Sequence, residues 1–382
     1  MIKKGKYNIL HIDSFSGFGG AQADITILLE FTKKNYADKF NIFVIHNNNE
    51  RLKKELDKKG INNASVRMRN FLDIFAILKI RKILKENDID LINFHSSRDH
   101  YLAGIASILI LNKKIIKVLT RHVAYNISYL KGYLIYRFLT DYFITISDFI
   151  KNILINGVKI NPEKIKTIYS PRTYGKEIAE ADILNYGGLR SSVRIEAGIN
   201  NSEKMVSLIG RLSKEKGHLT FIMAAKEILR TRGDIKFAII GEGELFEEIS
   251  AFISENGIKN NFILLGFQGD IKKYISASDL IVVPSGLEGM GSIIIESCAM
   301  RKAVVASNAG GIPEVVRNGK TGILFEAENY KELAEKILTV VDNEDLSKSL
   351  GTNCFEEVLK KFDAKNIADE TARLYLGLLG QA

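Results

Sequence analysis

The sequence has 382 residues, of which 46% are hydrophobic and 26% are charged, with a mean hydropathy near zero. This composition is ordinary for a globular protein and excludes a chain that is disordered throughout. At roughly 100–200 residues per domain, the length predicts two domains, each large enough to have its own core.

The net charge of +9 is unevenly distributed. Residues 1–200 contain 32 Lys and Arg against 19 Asp and Glu, whereas residues 201–382 contain 22 against 26. A basic first half indicates an anionic partner, which could be a membrane surface, a phosphorylated acceptor or nucleic acid. Nucleic acid is not expected, because aromatic and basic residues do not interleave and no known binding motif is present. The alternative is a lysine-rich surface that only contacts water.

Three features predict a cytoplasmic protein. No apolar run reaches the roughly 18 residues needed to span a bilayer, and the N-terminal residues lack the apolar segment of a secretory signal. The two cysteines, Cys298 and Cys354, are too few for a disulfide framework or a multi-thiolate metal site. A reducing cytosol is therefore the expected compartment.

In chain order, short apolar runs alternate with amphipathic stretches of helical length, such as residues 71–85 and 218–230. Uninterrupted runs of this kind are typical of strands buried on both faces of a parallel sheet. The predicted strands are residues 8–12, 41–45, 91–94, 115–119, 142–146, 165–168, 205–209, 236–240, 262–265, 280–283 and 303–306. The alternation stops between residues 170 and 202, so the pattern predicts an α/β fold of two doubly wound domains with a ligand-binding crevice between them.

A glycine-rich loop, Ser16-Gly-Phe-Gly19-Gly20-Ala, follows the first predicted strand. Glycines at this place allow a ligand to approach the backbone closely. The loop is not G-x-G-x-x-G, and no acidic residue ends the second strand, so a standard dinucleotide site is not expected. The alternative is a plain turn.

Histidines lie at or after strand ends in the first half: His95, His100 and His122. The run from His95 to His100 superficially resembles a hydrolase triad, but the G-x-S-x-G elbow of a nucleophilic serine is absent. His122 follows a strand that points toward the expected crevice and is a candidate functional residue. There is no H-E-x-x-H or paired C-x-x-C motif, so no metal site is expected.

Two loops of the second half contain groups that could bind a diphosphate. Gly210, Arg211 and Lys216 follow the strand at 205–209, and the two cations suit phosphate oxygens, whereas Lys214 is expected to be a surface residue. Gly289, Met290 and Gly291 precede a predicted helix, whose N-terminus stabilises an anion.

Two carboxylates belong to the second loop and its helix. Glu288 and Glu296 lie eight positions apart and could hold separate hydroxyl groups of one ligand. The alternative is that Glu288 caps the helix and Glu296 is solvated. A neighbouring segment, Gly241-Glu-Gly-Glu244, is predicted to be a tight strand-to-helix turn, because its carboxylates would repel a phosphate.

Together these segments resemble glycosyltransferase family 4, whose members adopt the GT-B fold. The resemblance covers nearly the whole chain and rests on residues 17–21, 120–122, 144–147, 210–217, 241–245, 277–285, the Glu288-x7-Glu296 pair and residues 310–314. It implies two Rossmann-like domains facing across a cleft. The expected parts are an acceptor-binding domain at 1–185, a nucleotide-sugar-binding domain at 186–362, and a final helix at 363–382 that packs back on the first domain.

The resemblance implies a retaining, metal-independent transfer of a sugar from a nucleotide donor, a UDP- or GDP-sugar, without a cofactor. Arg211 and Lys216 would hold the diphosphate, Glu288 would bind hydroxyls of the donor sugar, and Glu296 would bind the ribose. His122 would face the transferred sugar. The catalytic set would consist of His122, Glu288, Arg211 and Lys216, with Glu296 among the donor-binding residues. The other donor-binding residues would be Gly19, Gly20, Gly210, Gly241, Gly266, Gly289, Met290 and Gly291. Two departures from the family pattern are Gln22, where an acidic residue is common, and Tyr169-Ser-Pro-Arg172 after the strand at 165–168.

The basic first domain would suit an anionic, lipid-linked acceptor or a lipopolysaccharide or polysaccharide acceptor. The apolar stretches 101–111 and 129–139 could rest on the inner face of the plasma membrane, or could be ordinary core helices. Two other functions are considered: a nucleotide-sugar epimerase of the same fold, and a non-catalytic binding protein that keeps the fold. Glu288 with Arg211 and Lys216, in the family 4 arrangement, argues against the epimerase. The same three residues together with Glu296 argue against the binding protein, which would have no physical need for them.

Overall fold

The computed structural model describes residues 5–125 and 135–380. The chain forms two compact units. Unit 1 consists of Met1–Arg172 and Ala364–Ala382, and unit 2 consists of Thr173–Asp363. Each unit is built on its own parallel sheet, in agreement with the predicted pair of doubly wound Rossmann-like domains. Their arrangement across a cleft stays a prediction.

Unit 1 contains a seven-stranded sheet in the order β3-β2-β1-β4-β5-β6-β7, with every strand pair parallel. Strands β1, β4 and β5 in the middle of the sheet are mostly buried, as a sheet covered on both faces requires, and polar side chains are interspersed with their apolar residues. The strands are β1 (Tyr7–Asp13), β2 (Phe40–His46), β3 (Asn62–Ser65), β4 (Leu91–Phe94), β5 (Ile116–Arg121), β6 (Tyr142–Thr145) and β7 (Ile165–Thr167). The helices are α1 (Gly20–Tyr36), α2 (Glu50–Lys58), α3 (Ile74–Glu86), α4 (Ser97–Ile108) and α5 (Asp148–Asn152), with the last helix of the chain described below.

Unit 2 contains a six-stranded parallel sheet in the order β10-β9-β8-β11-β12-β13. Its strands are β8 (Lys204–Ile209), β9 (Ile235–Ile240), β10 (Phe262–Gly266), β11 (Leu280–Val283), β12 (Val304–Ser307) and β13 (Ile323–Phe325). Its helices are α6 (Lys176–Gly187), α7 (Arg190–Glu196), α8 (His218–Ile228), α9 (Phe246–Glu255), α10 (Ile271–Ala277), α11 (Ser292–Ala299), α12 (Tyr330–Val341) and α13 (Glu344–Lys361). The core includes a cluster of aromatic rings from Phe221, Phe237 and Phe262.

The boundary between the units differs from the one predicted after residue 185. Helices α6 and α7 belong to unit 2, where α6 binds the start of α10 through the Asp182–Lys272 ion pair at 2.5 Å and α7 binds its end. Arg190 donates to the carbonyls of Ser276 and Ala277 at 2.9 and 2.8 Å. Arg194 is 3% exposed and forms an ion pair with Asp279 at 3.2 Å. The segment therefore packs against unit 2 and does not form an extended linker.

We expect Arg194→Ala to lower the free energy of unfolding of unit 2 by about 3–5 kcal/mol, the range for breaking a buried ion pair. The loss is large because the guanidinium also donates to the carbonyls of Ala277 and Asn200 at 3.1 and 3.0 Å. Urea denaturation measures this change. Arg230→Ala is the matched control, because Arg230 is 65% exposed and its pair with Glu227 should contribute less than about 1 kcal/mol. An Arg194→Ala variant as stable as the control would exclude the anchoring role.

The last helix, α14 (Ala364–Gly380), belongs to unit 1, where it packs against α1. Tyr375 on this helix is buried, and its hydroxyl accepts a hydrogen bond from Asn93 Nδ2 at 2.6 Å. The chain thus returns to unit 1 after unit 2 is complete, within one residue of the predicted start of this segment.

Cys298 in α11 and Cys354 in α13 form a disulfide, and both residues are buried. Sequence composition had excluded only a framework of several disulfides, and this single bond was not expected. It joins the end of α11, which is part of the candidate site, to the long helix α13.

Candidate functional site

In unit 2 the candidate site lies at the point where the strand order reverses, between β8 and β11. Open parallel sheets bind ligands at such a point, outside the carboxyl ends of the strands. The loops after these two strands touch: Gly286 N donates to Glu215 O at 2.9 Å. Gly217, with φ of 72°, lies so close to the other loop that a Cβ would be 2.0 Å from the carbonyl of Pro284. Only glycine fits at this contact.

The turn after β9 lies against the loop after β8. A Cβ on Gly241 would be 1.9 Å from Gly210 O, and one on Gly243 would be 2.4 Å from Leu212 O. Gly241 N also donates to Gly266 O at 2.8 Å, so the ends of β8, β9 and β10 are held together. The segment is therefore the tight strand-to-helix turn predicted from its sequence. Gly210, Gly241 and Gly266 shape the backbone near the site.

Lys216 and Glu288 form the central ion pair of this site. Lys216 Nζ lies 2.5 Å from Glu288 Oε2, and the two side chains are 27% and 16% exposed. Ser285 Oγ donates to the same carboxylate oxygen at 3.3 Å. The ammonium group has three donors, so Lys216 can hold Glu288 and an anionic ligand at the same time.

Arg211 lies on the same loop, but its side chain is 59% exposed and pairs with Glu215 at 2.6 Å. Ser213 Oγ donates to the same carboxylate oxygen at 2.7 Å. Glu215 was missed at the sequence level; the signal that could have found it is its position four residues after Arg211, a spacing that brings side chains together where the chain winds helically. The arginine thus lies on the predicted loop, with its head group held by Glu215.

Helix α11 begins at Ser292 with Gly291 as its N-cap, at φ of 82°, and no side chain caps it. The alternative that Glu288 caps this helix is therefore wrong. Glu288 is instead held through its main chain, since its carbonyl accepts from Gly311 N at 2.9 Å. Gly289, Met290 and Gly291 connect Glu288 to the helix, and all three are buried. Glu296 is half-buried in α11 itself.

In unit 1 the side chains at the ends of the three central strands form a chain of histidines. His11 Nδ1 lies 2.9 Å from His95 Nε2, and His95 Nδ1 lies 3.0 Å from His122 Nε2. Burial lowers the pKa of His95 well below its usual range, so the ring is neutral, with one nitrogen donating and the other accepting. Of these histidines, only His122 was a candidate functional residue at the sequence level.

His122 is held in this chain through its Nε2, whereas its buried Nδ1 has no hydrogen-bond partner among the described residues. Its side chain is 9% exposed, and its Nδ1 lies 4.0 Å from the Asp24 carboxylate, which in turn pairs with Arg172 at 2.7 Å. Burial lowers the pKa of His122 to about 4 and lowers that of His95 well below its usual range. His122 is thus a neutral group at physiological pH.

The hydrolase interpretation of residues 95–100 is excluded by these contacts. Ser96 Oγ donates to Asp99, and both residues form the capping box of α4, while His100 is buried and bonds to Thr140 Oγ1 at 2.7 Å. Burial and the nearby Asp13 raise the pKa of Asp99 to about 7. No serine is activated by a histidine in this segment.

Gln22, the first departure from the family pattern, bridges the glycine loop of unit 1 and the end of β1. Gln22 Oε1 accepts from Gly19 N at 2.9 Å, and Gln22 Nε2 donates to Asp13 Oδ2 at 2.7 Å. Arg172, from the second departure, donates to Gly20 O at 2.9 Å. Both departures therefore contact the loop that contains Gly19 and Gly20.

A cavity of about 30 Å³ lies beside His122, lined by Asp24, His95 and Ser170 and by apolar residues of β6 and α14. At roughly 10–15 Å³ for each water molecule, it has room for about two or three waters. A sugar does not fit there, so any contact between His122 and a sugar is made outside this cavity.

The histidines make stability depend on pH. All six have a pKa below the usual value of 6.5, with burial as the largest cause, in His11, His46, His95, His100, His122 and His218. Below pH 6.5 the unfolded chain therefore binds more protons than the folded chain. For each such histidine, the free energy of unfolding falls by roughly 1.4 kcal/mol per pH unit between its unfolded and folded pKa values. Asp13 and Asp99 act in the opposite direction, because burial raises their pKa values.

Six histidines outweigh two carboxylates, so we expect the free energy of unfolding to fall by several kcal/mol between pH 7.5 and pH 5. Urea denaturation at the two pH values measures this change. Stability that is constant or rises toward pH 5 would show that these histidines are not buried as neutral groups.

Two family models match most of the chain. The model of glycosyltransferase family 4 matches residues 33–171, and that of group 1 glycosyl transferases matches residues 190–356. The matches cover strands β2 to β7 of unit 1 and the whole sheet of unit 2, together with His95, His122 and the Lys216–Glu288 pair. Strand β1, with His11 and the glycine loop after it, lies before the first match. The chain is a family 4-type glycosyltransferase.

Relatives and solved structures agree with this assignment. An uncharacterised glycosyltransferase from Methanocaldococcus jannaschii is 29% identical over 77% of this chain and 77% of its own. A UDP-Gal:α-D-GlcNAc-diphosphoundecaprenol α-1,3-galactosyltransferase from Escherichia coli is 26% identical over 80% of each chain. Anabaena HepE, crystallised with UDP and glucose, superimposes with a TM-score of 0.82 at 22% identity and covers 96% of this chain and 98% of its own, which shows the shared GT-B fold.

Proposed function

We propose that this family 4-type glycosyltransferase moves a sugar from a nucleoside diphosphate donor, a UDP- or GDP-sugar, to a lipid-linked or polysaccharide acceptor of the cell envelope. The transfer would retain the anomeric configuration and need no divalent metal. The observation that carries this proposal is the Lys216–Glu288 ion pair at the switch point of unit 2, next to the N-terminus of α11.

The roles of the site residues follow from where charge develops during sugar transfer. When the bond between the sugar and the diphosphate breaks, negative charge grows on the leaving diphosphate and positive charge on the sugar. Lys216, Arg211 and the amides of Met290 and Gly291 would stabilise the diphosphate, as prearranged donors do without reorganisation. Glu288, already oriented by Lys216 and Ser285, would accept hydrogen bonds from hydroxyls of the donor sugar.

His122 is assigned to the transferred sugar. It would serve as a neutral hydrogen-bonding group, since its pKa is lowered to about 4. It would therefore stabilise the sugar through a fixed dipole rather than a full charge. We assign no general base, because the leaving phosphate can take the proton of the acceptor hydroxyl.

The choice of donor and acceptor classes is supported by relatives. The similar enzyme from Escherichia coli is named for a UDP-galactose donor and a diphosphoundecaprenol-linked acceptor, and HepE was crystallised with UDP-glucose. A lipid-linked acceptor would place the enzyme on the inner face of the plasma membrane. No helix in residues 5–125 and 135–380 is long and apolar enough to cross a bilayer.

Calorimetric titration with UDP, GDP and their sugars, with EDTA in every sample, tests the donor class and metal independence together. We expect tight binding of one nucleotide and its sugar in EDTA. Binding that appears only after Mg²⁺ or Mn²⁺ is added would overturn metal independence. Formation of an epimeric nucleotide sugar without any acceptor would support the epimerase instead.

Glu296→Ala should weaken binding of the nucleotide by at least about tenfold, because a hydrogen bond from a ribose hydroxyl to a carboxylate contributes about 1.5–3 kcal/mol. Since Glu296 is half-buried, the melting temperature should change little. Calorimetry and thermal denaturation on the same sample separate these effects. A variant that melts early but binds the nucleotide normally would show that Glu296 is structural.

A further inference from the structure

An exposed apolar cluster lies at the start of α3 in unit 1. Five large apolar side chains within eight residues, Phe71, Leu72, Ile74, Phe75 and Leu78, are between 47% and 84% exposed. We call these five residues the α3 tip. Isolated exposed apolar residues are ordinary, but a contiguous group of this size marks a surface that contacts something other than water.

The α3 tip is held in place by the fold. Ala76, Ile77, Ile80 and Leu84 of the same helix are buried in the core, which directs Ile74, Phe75 and Leu78 to the opposite side. Asp73 caps the helix, with its Oδ1 accepting from Ala76 N at 3.1 Å. The ring of Phe71 packs edge-on against Tyr101, with 5.2 Å between the ring centroids. The apolar groups therefore protrude from a fixed element.

The charges around the α3 tip are mostly positive. Between residues 61 and 86 there are six Lys and Arg and two carboxylates: Asp73, which is used as the helix cap, and Glu86, which pairs with Lys82 at 3.6 Å at the far end of α3. Five of these cations are exposed: Arg67, Arg69, Lys79, Lys82 and Lys85. An apolar group with a basic border is complementary to an anionic lipid surface, in which apolar side chains enter the acyl boundary and cations meet phosphate groups.

The end of α4 adds to this surface. Ile108 and Leu109 are exposed there, and Arg81 Nε donates to Leu109 O at 3.2 Å, which ties this end to the middle of α3. The rest of α4 is mostly buried, so the stretch 101–111 is chiefly a core helix. Most of the other stretch considered for membrane contact, 129–139, lies outside the described residues.

We propose that the α3 tip is the surface by which the protein docks on an anionic lipid bilayer. The five apolar side chains would enter the region between headgroups and acyl chains, and the basic residues beside them would contact lipid phosphates. This proposal rests on the proposed function, because a lipid-linked acceptor would be presented to the enzyme at the surface of a bilayer.

Flotation of the full chain with vesicles tests the proposal. We expect the protein to float with phosphatidylcholine vesicles that contain 30% phosphatidylglycerol, and much less with phosphatidylcholine alone. Leu72→Ser/Phe75→Ser should reduce the vesicle-bound fraction at least tenfold, because both side chains are highly exposed and their replacement does not disturb the core. Leu184→Ser/Ile195→Ser is the matched control in unit 2, with two equally exposed side chains, and should float like the wild type.

Several results would overturn the proposal. These are failure of the wild type to float with either vesicle, equal binding to both vesicle types, and undiminished flotation of the Leu72→Ser/Phe75→Ser variant. A dimer in solution that this variant abolishes, without flotation of the wild type, would assign the surface to a second copy of the chain.

UDP and GDP titration of the same samples separates this proposal from the proposed function. Nucleotide binding without flotation would refute the docking surface but not the proposed function. Flotation without binding of any nucleotide would refute the proposed donor class but not the docking surface.

Discussion

Replacing Lys216 with alanine is expected to weaken binding of the preferred nucleoside diphosphate by roughly 10- to 150-fold. This range corresponds to the loss of a hydrogen bond to a charged group, about 1.5–3 kcal/mol. The substitution also leaves Glu288 without its ion-pair partner at 2.5 Å, and this carboxylate would then repel the diphosphate. Calorimetric titration of the wild type and the variant in EDTA measures the change.

Two variants on the same loop serve as controls. Lys214 is exposed, and Lys214→Ala should bind the nucleotide as the wild type does. Lys216→Arg keeps the positive charge and should recover part of the affinity, which separates the effect of charge from that of shape. If Lys216→Ala binds every nucleoside diphosphate as tightly as the wild type, the diphosphate site is elsewhere.

The second large effect is expected from His122→Ala, which should lower kcat by roughly 10²–10³, the range for removal of one prearranged hydrogen-bonding group. Nucleotide affinity should not change, because the groups assigned to the diphosphate lie in unit 2. His122 has a pKa of about 4 and stays neutral above pH 5, so its titration should not appear in the dependence of kcat on pH between 5.5 and 8. Steady-state kinetics with the donor that binds most tightly measures both quantities.

His95 and His100 provide comparisons for this variant. His95→Asn removes the ring that holds His122 Nε2 at 3.0 Å and should lower kcat by a smaller factor, as a positioning residue. His100 is equally buried in unit 1 but bonds to Thr140, so His100→Asn should reduce stability and leave kcat intact. If His122→Ala keeps the wild-type kcat, its catalytic assignment is wrong.

Most of the fold follows from apolar patterning. The central strands of both sheets are buried on both faces, and their short apolar runs are distinct from the amphipathic helices around them. Strand β3, with the sequence Asn-Asn-Ala-Ser, has no such pattern because it lies at the edge of its sheet. Strand β13 has only three residues at the other sheet's edge. The position of an edge strand is determined by its hydrogen bonds to the neighbouring strand. The local sequence pattern does not reveal this pairing.

The candidate site could be predicted in part. Glycine spacing and the cations of residues 210–217 indicate a phosphate-binding loop, and the structure brings Lys216 to Glu288 across 72 residues of sequence. The capping role considered for Glu288 fails because Gly291 adopts a left-handed conformation that starts α11 without a side chain. The histidine chain was missed because His11 lies in β1 while His95 and His122 directly follow β4 and β5, and only the order of the sheet makes them neighbours.

The most direct test of the central claim is transfer of labelled sugar from UDP- and GDP-sugars to lipid-linked diphosphate acceptors, in EDTA, with NMR analysis of the product. We predict that one donor is consumed, that its nucleoside diphosphate is released, and that the new glycosidic bond keeps the anomeric configuration of the donor. Inversion of that configuration would contradict the retaining mechanism. Recovery of every donor unchanged, with the nucleotide bound but no sugar transferred, would contradict the assignment of this chain as a transferase of lipid-linked glycans.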